Sequence, residues 1–391
     1  MVAPSPHRTE VVVVGAGMAG TSVAAELAPR RRTVLLEMEE HPAYHATGRS
    51  AAVFSEGYGN AVVRALTRAS RPFLEEPPPG FTDEPLLLPR GWMFVARPDQ
   101  LEYLGRIEQE IASTGGRLRA LDPAEATARV PILRRDYLAG ALWDATAMDV
   151  DVHALHQGFL RRLRAAGGEL VTSARVLALE RARGAWRVET EQGAFEAPLL
   201  VDAAGAWADE VGRLAGAVPV GLQPMRRTVV LLDLPGGVAA AHWPLVIDAE
   251  EQFYFKPESG KLLASPADET PSAPCDARPD DLDVAIAVDR VVRACDLEVQ
   301  HVARRWAGLR SFVADRTPVV GPDPRAEGFV WLAAQGGAGI QTSPALARVA
   351  AALALGEPVP ADIARQGVSA RDLSPARLAG AGGVPWGGAG G

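Results

Sequence analysis

VVVVGAGMAGTSVAAELAPRRRTVLLE, residues 11–37, decides the fold, because it combines two apolar strands with a glycine-rich turn and a helix. The four valines are typical of a short strand that is buried on both faces. Gly15, Gly17 and Gly20 follow in G-x-G-x-x-G spacing, and the second apolar strand ends on Glu37. This order predicts a βαβ unit that binds a dinucleotide.

The glycines and the acid each have a chemical role in such a unit. Gly15 permits the tight turn, Gly17 lets the backbone approach a pyrophosphate, and Gly20 lets helix and strand pack closely. The helix N-terminus offers free N–H groups and partial positive charge to that anion. Glu37 is placed to accept hydrogen bonds from an adenosine ribose. These residues alone leave NAD and FAD both open.

Bulk composition is that of an ordinary soluble globular protein, with 48% hydrophobic residues and a mean hydropathy of +0.02. The length of 391 residues favours two interleaved domains over a single core. The net charge of −8 argues against nucleic acid or an anionic membrane surface as a partner.

Cysteine usage and the apolar runs bear on the compartment. Cys275 and Cys295 are the two cysteines, so a disulfide framework or a thiolate metal site is not expected, and a reducing cytoplasm fits. The N-terminus lacks the apolar core of a signal peptide, and no apolar run reaches the length of an integral membrane segment. We therefore expect a cytoplasmic localisation.

Apolar periodicity predicts the main elements along the chain. Residues 85–96 are typical of a hairpin that crosses into a second domain, and residues 169–197 of a strand-rich meander. Helices are predicted at about residues 61–74, 100–114, 150–165, 282–295 and 344–355.

Two later turns on small residues favour FAD over NAD. DAAGAWAD, residues 202–209, ends one buried strand, and WLAAQGGAGIQTS, residues 331–343, joins another strand to a helix. A helix N-terminus aimed at the flavin N1–C2=O edge stabilises the negative charge that develops there on reduction. The alternative is that the second turn only packs. Together with the N-terminal unit, the pattern predicts FAD.

Several motifs stand in the order of a known family: GAGMAG (15–20), YHATGRSAA (44–52), DAAGAWAD, WAGLRSFVADRTPVVG (306–321) and AAQGGAGIQTSPA (333–345). On these motifs the chain resembles the D-amino-acid oxidase-like flavoenzymes, and within them looks most like the bacterial D-arginine dehydrogenases. The resemblance implies a metal-free enzyme of amino-acid catabolism. It implies hydride transfer from the substrate Cα to flavin N5, giving an imino acid that hydrolyses to a keto acid and ammonia.

The fold class that the resemblance implies is α/β, with a doubly wound, Rossmann-type FAD-binding domain and an α+β substrate domain built on an antiparallel sheet. The expected FAD-binding segments are residues 1–88, 147–215 and 303–380, the substrate-binding segments are 89–146 and 216–302, and residues 381–391 form a flexible tail.

The resemblance also assigns the site residues. Those expected to hold FAD are Gly15, Gly17, Gly20, Glu37, Thr47, Gly48, Arg49, Ser50, Ala51, Val176, Gly205, Gly336, Gly337, Gly339, Ile340 and Gln341. Those expected to act on the amino-acid carboxylate and amine are Tyr58, Arg227, Tyr254, Arg310 and Gly337. A guanidinium fork matches a carboxylate bidentately, and tyrosine hydroxyls help to fix the Cα–H over the flavin. A single arginine of this kind would more often be a surface charge.

Two pocket positions depart from the D-arginine enzymes. Val53 stands where those enzymes carry a His, and Trp92 where they carry an acid that receives the guanidinium. A buried substrate cation without a counter-charge is disfavoured by roughly a few kcal/mol. We therefore predict a preference for neutral or apolar D-amino acids. The alternatives are that the Trp92 ring holds a cation, worth about 0.5–2 kcal/mol, or that Glu56 supplies the acid.

The remaining expectations concern the cofactor link and competing functions. His41 and His45 lie in a loop without a third ligand, so no metal site is expected. A covalent link from FAD to His45 is the alternative to the noncovalent binding that we expect. Besides a D-amino-acid dehydrogenase or oxidase with an unknown electron acceptor, the chain could oxidise secondary amines such as sarcosine- or proline-like acids. It could also be a non-catalytic flavin-binding module, or less well an NAD-dependent dehydrogenase.

Overall fold

The computed structural model describes residues 6–113, 116–236 and 238–378 of the chain, so the expected tail at 381–391 lies outside the described residues. Its α-helices are Met18–Leu27, Ala61–Glu75, Leu101–Ser113, Pro123–Arg129, Val152–Ala165, Ala208–Leu214, Asp281–Ala294, Ser343–Ala354, Ala361–Ala364 and Ala370–Leu373. Short 3₁₀ turns are Ala46–Arg49, Pro98–Gln100, Gly205–Trp207 and Pro375–Leu378. Among the described residues, none of the helices has both the length and the apolar content needed to cross a membrane.

A six-stranded sheet carries the N-terminal glycine-rich turn. In spatial order its strands are Glu169–Val171, Thr33–Leu36, Val11–Val14, Leu199–Asp202, Phe329–Ala333 and Val319–Pro322. The first five are parallel and the last is antiparallel to its neighbour. Val11 and Val13 pack with the helices on one face, whereas Val12 and Val14 pack with a second sheet on the other. Burial on both faces explains why this strand is all valine.

The second sheet has four strands and covers the other face of the six-stranded sheet, together with the short helix Ala208–Leu214. Its strands, in order, are His7–Arg8, Gly193–Ala197, Ala185–Thr190 and Val176–Ala182. Trp186, Val188 and Phe195 supply its buried face. The predicted meander is therefore divided, because Glu169–Val171 joins the six-stranded sheet as a parallel strand.

A nine-stranded sheet forms the second half of the molecule. Its strands, in order, are Thr270–Pro271, Gln223–Leu232, Lys261–Ser265, Tyr254–Glu258, Leu245–Asp248, Trp92–Ala96, Gly140–Asp144 and Arg119–Leu121, with Val302–Phe312 paired to Gln223–Leu232. All pairs are antiparallel except that between Leu245–Asp248 and Trp92–Ala96. The helix Asp281–Ala294 packs on one face of this sheet. Residues 303–312, expected among the FAD-binding segments, belong to this sheet through their backbone pairing.

A small sheet joins the two halves, with strands in the order Val53–Phe54, Met148–Val150 and Leu87–Pro89. The residues expected to form a hairpin, 85–96, are instead two strands of different sheets, since Leu87–Pro89 pairs with Met148–Val150 and Trp92–Ala96 with Gly140–Asp144. Gly91, at a φ of 74°, makes the turn between them. The prediction of a doubly wound α/β unit beside an antiparallel sheet is confirmed.

Candidate cofactor and substrate site

A long cavity of about 340 Å³ is lined by residues of both large sheets. The six-stranded sheet contributes Val14 and Leu36, and the nine-stranded sheet contributes Arg227 and Leu245. Every expected site residue lines the cavity except Gly20 and Gly48. The volume lies in the range of ligand-binding cavities in proteins.

The first glycine-rich turn forms one end of the cavity. Gly15 has a φ of 97°, which a side chain would strain, and a Cβ there would press on the carbonyl of Ala203. Gly17 faces the cavity, where a Cβ would come within 3.4 Å only of Thr47 Oγ1. Gly20 does not line the cavity. It packs against the turn, where a Cβ would collide with the Gly15 carbonyl oxygen. Its role is therefore to let the helix pack against the turn.

Glu37 lies at the same end and is 7% exposed. Its carboxylate accepts hydrogen bonds from the backbone N–H of Ala16 at 2.7 Å and of Glu39 at 3.0 Å. Burial raises the pKa of Glu37, although these two hydrogen bonds act in the opposite direction. The carboxylate also lines the cavity, at the end of the second strand where a ribose would lie.

The loop that carries Thr47 and Arg49 crosses from the first turn toward the nine-stranded sheet. Thr47 Oγ1 accepts a hydrogen bond from the Met18 N–H at 2.9 Å. The Arg49 guanidinium does not point freely into the cavity, since it donates to the carbonyls of Ala277 at 3.0 Å and Ala307 at 3.1 Å. Gly48 belongs to this loop but does not line the cavity. A Cβ at Gly48 would lie 2.5 Å from the Ala43 carbonyl oxygen.

The second glycine-rich turn forms the wall beside the nine-stranded sheet. Gly336 has a φ of 54°, and a Cβ there would collide with the Phe312 ring. Gln341 lines the cavity, but its side chain accepts from the Ser55 N–H at 2.9 Å and donates to Thr67 Oγ1 at 3.0 Å. This side chain therefore fixes the loop that leads to Tyr58. Gly205, Gly339, Ile340, Ser50, Ala51 and Val176 line the cavity as well.

Two arginines and two tyrosines come together in the cavity. Arg227 and Arg310 lie on paired strands, Arg227 opposite Gly308 and Arg310 opposite Met225. A Cβ at Gly337 would contact Tyr58 Oη and would lie 3.2 Å from Arg310 Nη1, so both groups converge on this glycine. Burial and the neighbouring Arg310 lower the pKa of Arg227.

Arg310 differs from Arg227 in its partners. Arg227 Nη2 donates to Glu269 Oε1 at 3.2 Å, whereas the guanidinium of Arg310 has no hydrogen-bond acceptor within the part of the chain that the structure describes. Burial opposes the charge on Arg310, but Tyr58, Tyr254, Glu269 and Glu251 together outweigh it and raise the pKa of Arg310. Arg310 is therefore a charged donor available to an anion.

An apolar pocket adjoins this cluster. Trp92, Leu245 and Ile247 form a buried cluster with Val229 and Tyr254. Val53 and Tyr58 pack against them, and the Tyr58 and Trp92 rings lie 6.3 Å apart. Glu56, considered as a counter-charge, instead accepts from Arg71 Nε at 2.5 Å and does not line the cavity.

Two acids near Arg227 and Arg310 were not predicted from the sequence. Glu251 lines the cavity in a left-handed turn with a φ of 55°. Glu269 pairs with Arg227 and Arg316. Both acids follow strands of the nine-stranded sheet, and only the folding of that sheet brings them close to the arginines.

His45 lines the cavity on the same side as Glu37, on the loop that follows the strand Thr33–Leu36. Its Nε2 is 2.8 Å from Glu39 Oε1, and its ring packs on Trp207 with 4.7 Å between the ring centroids. Among the described residues, no group of three or more His, Cys, Asp or Glu side chains is arranged to hold a metal ion.

These features fit FAD. The cradle at Gly15 and Gly17 excludes side chains where a pyrophosphate would approach, and Glu37 closes the ribose end. The chain belongs to the FAD-dependent oxidoreductase family, whose sequence model matches residues 10–353, and FAD is its cofactor.

Curated relatives cover most of the chain at modest identity. Mitochondrial sarcosine dehydrogenase from Homo sapiens is 25% identical over 350 residues, which are 83% of this chain and 37% of that protein. Glycine oxidase from Geobacillus kaustophilus is 25% identical over 347 residues, which are 86% of this chain and 90% of that enzyme. The chain thus spans well under half of the sarcosine dehydrogenase. These relatives support the family and not the narrower resemblance to the D-arginine dehydrogenases.

Solved structures support the fold. The glycine oxidase from Geobacillus kaustophilus matches with a TM-score of 0.79 at 23% identity, covering 90% of this chain and 95% of that one. The L-proline dehydrogenase from P. horikoshii matches with a TM-score of 0.80 at 18% identity, covering 96% and 99%.

Proposed function

We propose that the protein is an FAD-dependent dehydrogenase or oxidase of small amino acids that carry a substituent on nitrogen, such as sarcosine- or proline-like acids. The observation that carries this proposal is the Arg227, Arg310, Tyr58 and Tyr254 cluster, which adjoins an apolar pocket in the cavity of the FAD-binding turns. A carboxylate anchor beside apolar surface suits an amino acid with an alkyl group.

Two of the similar proteins support a secondary amine over a primary D-amino acid, whereas the glycine oxidase is named for an amino acid without a substituent on nitrogen. One relative is a sarcosine dehydrogenase, and one structural neighbour is an L-proline dehydrogenase. In this chain the apolar side chains of Val53, Trp92 and Ile247 line the pocket, and an N-alkyl group or a pyrrolidine ring would bury its surface against them.

The arginines would bind the carboxylate and prepare the amine. Arg310 would donate to the carboxylate with two parallel N–H groups, and Arg227 would add a second, tethered donor. Once the arginines hold the carboxylate, burial of the ammonium group in the cavity disfavours its charged form and lowers its pKa, so the nitrogen would lose its proton to solvent and keep a free electron pair. Bound FAD supplies the two-electron acceptor for the hydride on the carbon beside that nitrogen. The product is an imine that water hydrolyses.

A second candidate is the oxidation of primary D-amino acids with neutral or apolar side chains. The same apolar pocket favours it, because Trp92 and Val53 offer no counter-charge to a basic side chain. The two candidates differ in which substituent of the substrate enters the pocket.

The test is anaerobic bleaching of the flavin in the purified holoenzyme. The panel contains sarcosine, N,N-dimethylglycine, L-proline and glycine, together with D-leucine, D-methionine, D-phenylalanine and D-arginine. We expect the N-substituted acids to bleach the flavin fastest and D-arginine to be slow.

The outcomes separate the candidates. Faster bleaching by D-leucine or D-phenylalanine than by any N-substituted acid would replace the proposal by the second candidate. A yellow protein that no amino acid bleaches would be a flavin-binding module without this activity.

A further inference from the structure

Glu269 bridges two arginines beside the cavity. Its Oε1 accepts from Arg227 Nη2 at 3.2 Å and from Arg316 Nη2 at 2.7 Å, while its Oε2 accepts from Arg316 Nη1 at 3.0 Å. Burial alone would raise the pKa of Glu269, but the Arg316 guanidinium, with help from Arg227, lowers it. Glu269 is therefore a carboxylate held in its charged form.

The segment that carries Glu269 lies at a break in the backbone pairing of the nine-stranded sheet. On that edge, the strand Gln223–Leu232 pairs with Thr270–Pro271 through residues 225–226 and with Lys261–Ser265 through residues 230–232. Asp268 fills the gap between these pairings, since its carboxylate accepts from the Thr228 N–H at 2.6 Å and from Thr228 Oγ1 at 2.9 Å. The next residue, Glu269, is thereby anchored against the Arg227 side chain.

The charges around the cluster nearly balance. Arg227, Arg310 and Arg316 are its cations. Glu269 and Glu251 are the acids that act on Arg310, and Asp268 acts on Arg227. These acids offset most of the positive charge of the three arginines. Without Glu269 the cluster would carry one more unit of positive charge, which would favour a ligand with a second carboxylate.

We propose that Glu269 makes this cavity selective for ligands with one carboxylate over ligands with two. It engages Arg227 and Arg316, and it repels a second anionic group. This inference rests on the proposed function, because it concerns the charge of the substrate that the Arg227 and Arg310 cluster binds.

The test uses two unreactive ligands with the same ether skeleton, methoxyacetate with one carboxylate and oxydiacetate with two. Each is titrated into the holoenzyme, and binding is followed by the flavin difference spectrum. In Glu269→Gln the affinity for oxydiacetate relative to methoxyacetate should rise by about tenfold. Glu269→Asp keeps the charge and should keep the wild-type ratio.

Two further variants complete the design. Arg316→Gln removes a cation from the same ion pair, so it should shift the ratio in the opposite direction, and it serves the test even where Glu269→Gln fails to fold. Glu110→Gln is the matched control, because Glu110 is a glutamate whose ion-pair partner is the buried Arg64 and not an arginine of the cluster. It should leave the ratio unchanged.

An unchanged ratio in both Glu269→Gln and Arg316→Gln would overturn the inference, as would the same shift in Glu269→Asp and Glu269→Gln. These titrations need no turnover. Failure of the wild-type protein to bind either ligand would count against the carboxylate cluster and the proposed function, whereas failure of the ratio to move counts against Glu269 alone.

Discussion

Arg310 and Arg227 line the same cavity, but their hydrogen-bond partners differ. We therefore expect them to contribute differently to substrate binding. Arg227 is tethered by Glu269, whereas Arg310 keeps its donors for a ligand. Replacing Arg310 by Met should lower kcat/KM about 100-fold, since removing one partner of a buried charged pair costs about 3 kcal/mol. Most of the loss should fall on KM, measured by steady-state kinetics on the best substrate of the panel.

The control for this variant is Arg348→Met, which removes an arginine paired with Asp362 outside the cavity. It should leave KM unchanged. An Arg310→Met enzyme with wild-type KM would show that the carboxylate binds elsewhere.

Asp202 is a buried carboxyl group whose titration should affect stability. It is fully buried, with Oδ1 accepting from the Ala204 N–H at 3.1 Å and Oδ2 without a partner among the described atoms. Burial raises the pKa of Asp202 well above its usual range. The folded protein thus holds this proton more tightly than the unfolded chain. Its free energy of unfolding therefore falls as pH rises from about 4, the unfolded pKa, toward the folded pKa.

Asn at this position keeps the acceptor and cannot ionise, so Asp202→Asn should gain in Tm relative to the wild type as pH rises from about 4 to about 8. Thermal melts across this range measure the difference. Asp362→Asn is the control, because the Arg348 guanidinium lowers the pKa of Asp362, so the contribution of this carboxylate is complete above the unfolded pKa and the Tm difference of the variant should stay constant from about pH 4 to about pH 8. A Tm difference that does not change with pH would contradict the assignment for Asp202.

At the scale of the element, the first turn and its helix depend on the absence of a side chain at Gly20. A Cβ there would meet the Gly15 carbonyl oxygen, which belongs to backbone and cannot rotate away. Gly20→Ala should therefore displace the turn and lower the flavin content, measured as the ratio of absorbance near 450 nm to that near 280 nm, roughly in proportion to lost binding.

Gly105→Ala is the matched helical control, since a Cβ at Gly105 would meet no group within 4 Å beyond its chain neighbours and the backbone of its own helix. It should keep the full flavin content and stabilise the helix by up to about 1 kcal/mol. Equal flavin content in both variants would refute the packing argument.

The sequence predicted individual helices and strands better than the pairing of strands into sheets. The helix Ser343–Ala354 and the strand Val11–Val14 follow from local periodicity, because each buries a continuous apolar surface. The prediction of a hairpin at residues 85–96 is wrong, because the local sequence pattern does not determine which sheet a strand joins. Trp92–Ala96 pairs with Gly140–Asp144, about fifty residues later in the chain, and no turn residues in the sequence indicate that pairing.

Site residues divide in the same way. The glycine-rich turns were found because backbone chemistry requires glycine at Gly15 and Gly336. The partners of Arg49 were not found, because the carbonyls of Ala277 and Ala307 are more than two hundred residues away in the chain. Glu269 was missed for a related reason, since its position depends on a gap in a sheet that only the tertiary structure defines.

At the scale of the whole molecule, the cavity joins the two halves. Gly15 and Glu37 line it from the six-stranded sheet, and Arg227 and Tyr254 line it from the nine-stranded sheet. The Arg49 guanidinium also crosses between the halves, with an ion pair to Asp276 at 2.5 Å. A ligand in this cavity contacts both halves and should stabilise their association.

Acid denaturation of the holoenzyme should release FAD from the chain. We expect noncovalent binding, because His45 Nε2 is already engaged by Glu39 and its ring is packed on Trp207. Trichloroacetic acid should then leave the yellow colour in the supernatant. FAD binds only the folded chain, so stripping it should lower the Tm, and adding it back at about 100 times its Kd should restore about 2.7 kcal/mol. A yellow pellet, together with a colourless pellet from His45→Ala, would instead establish a covalent link at His45.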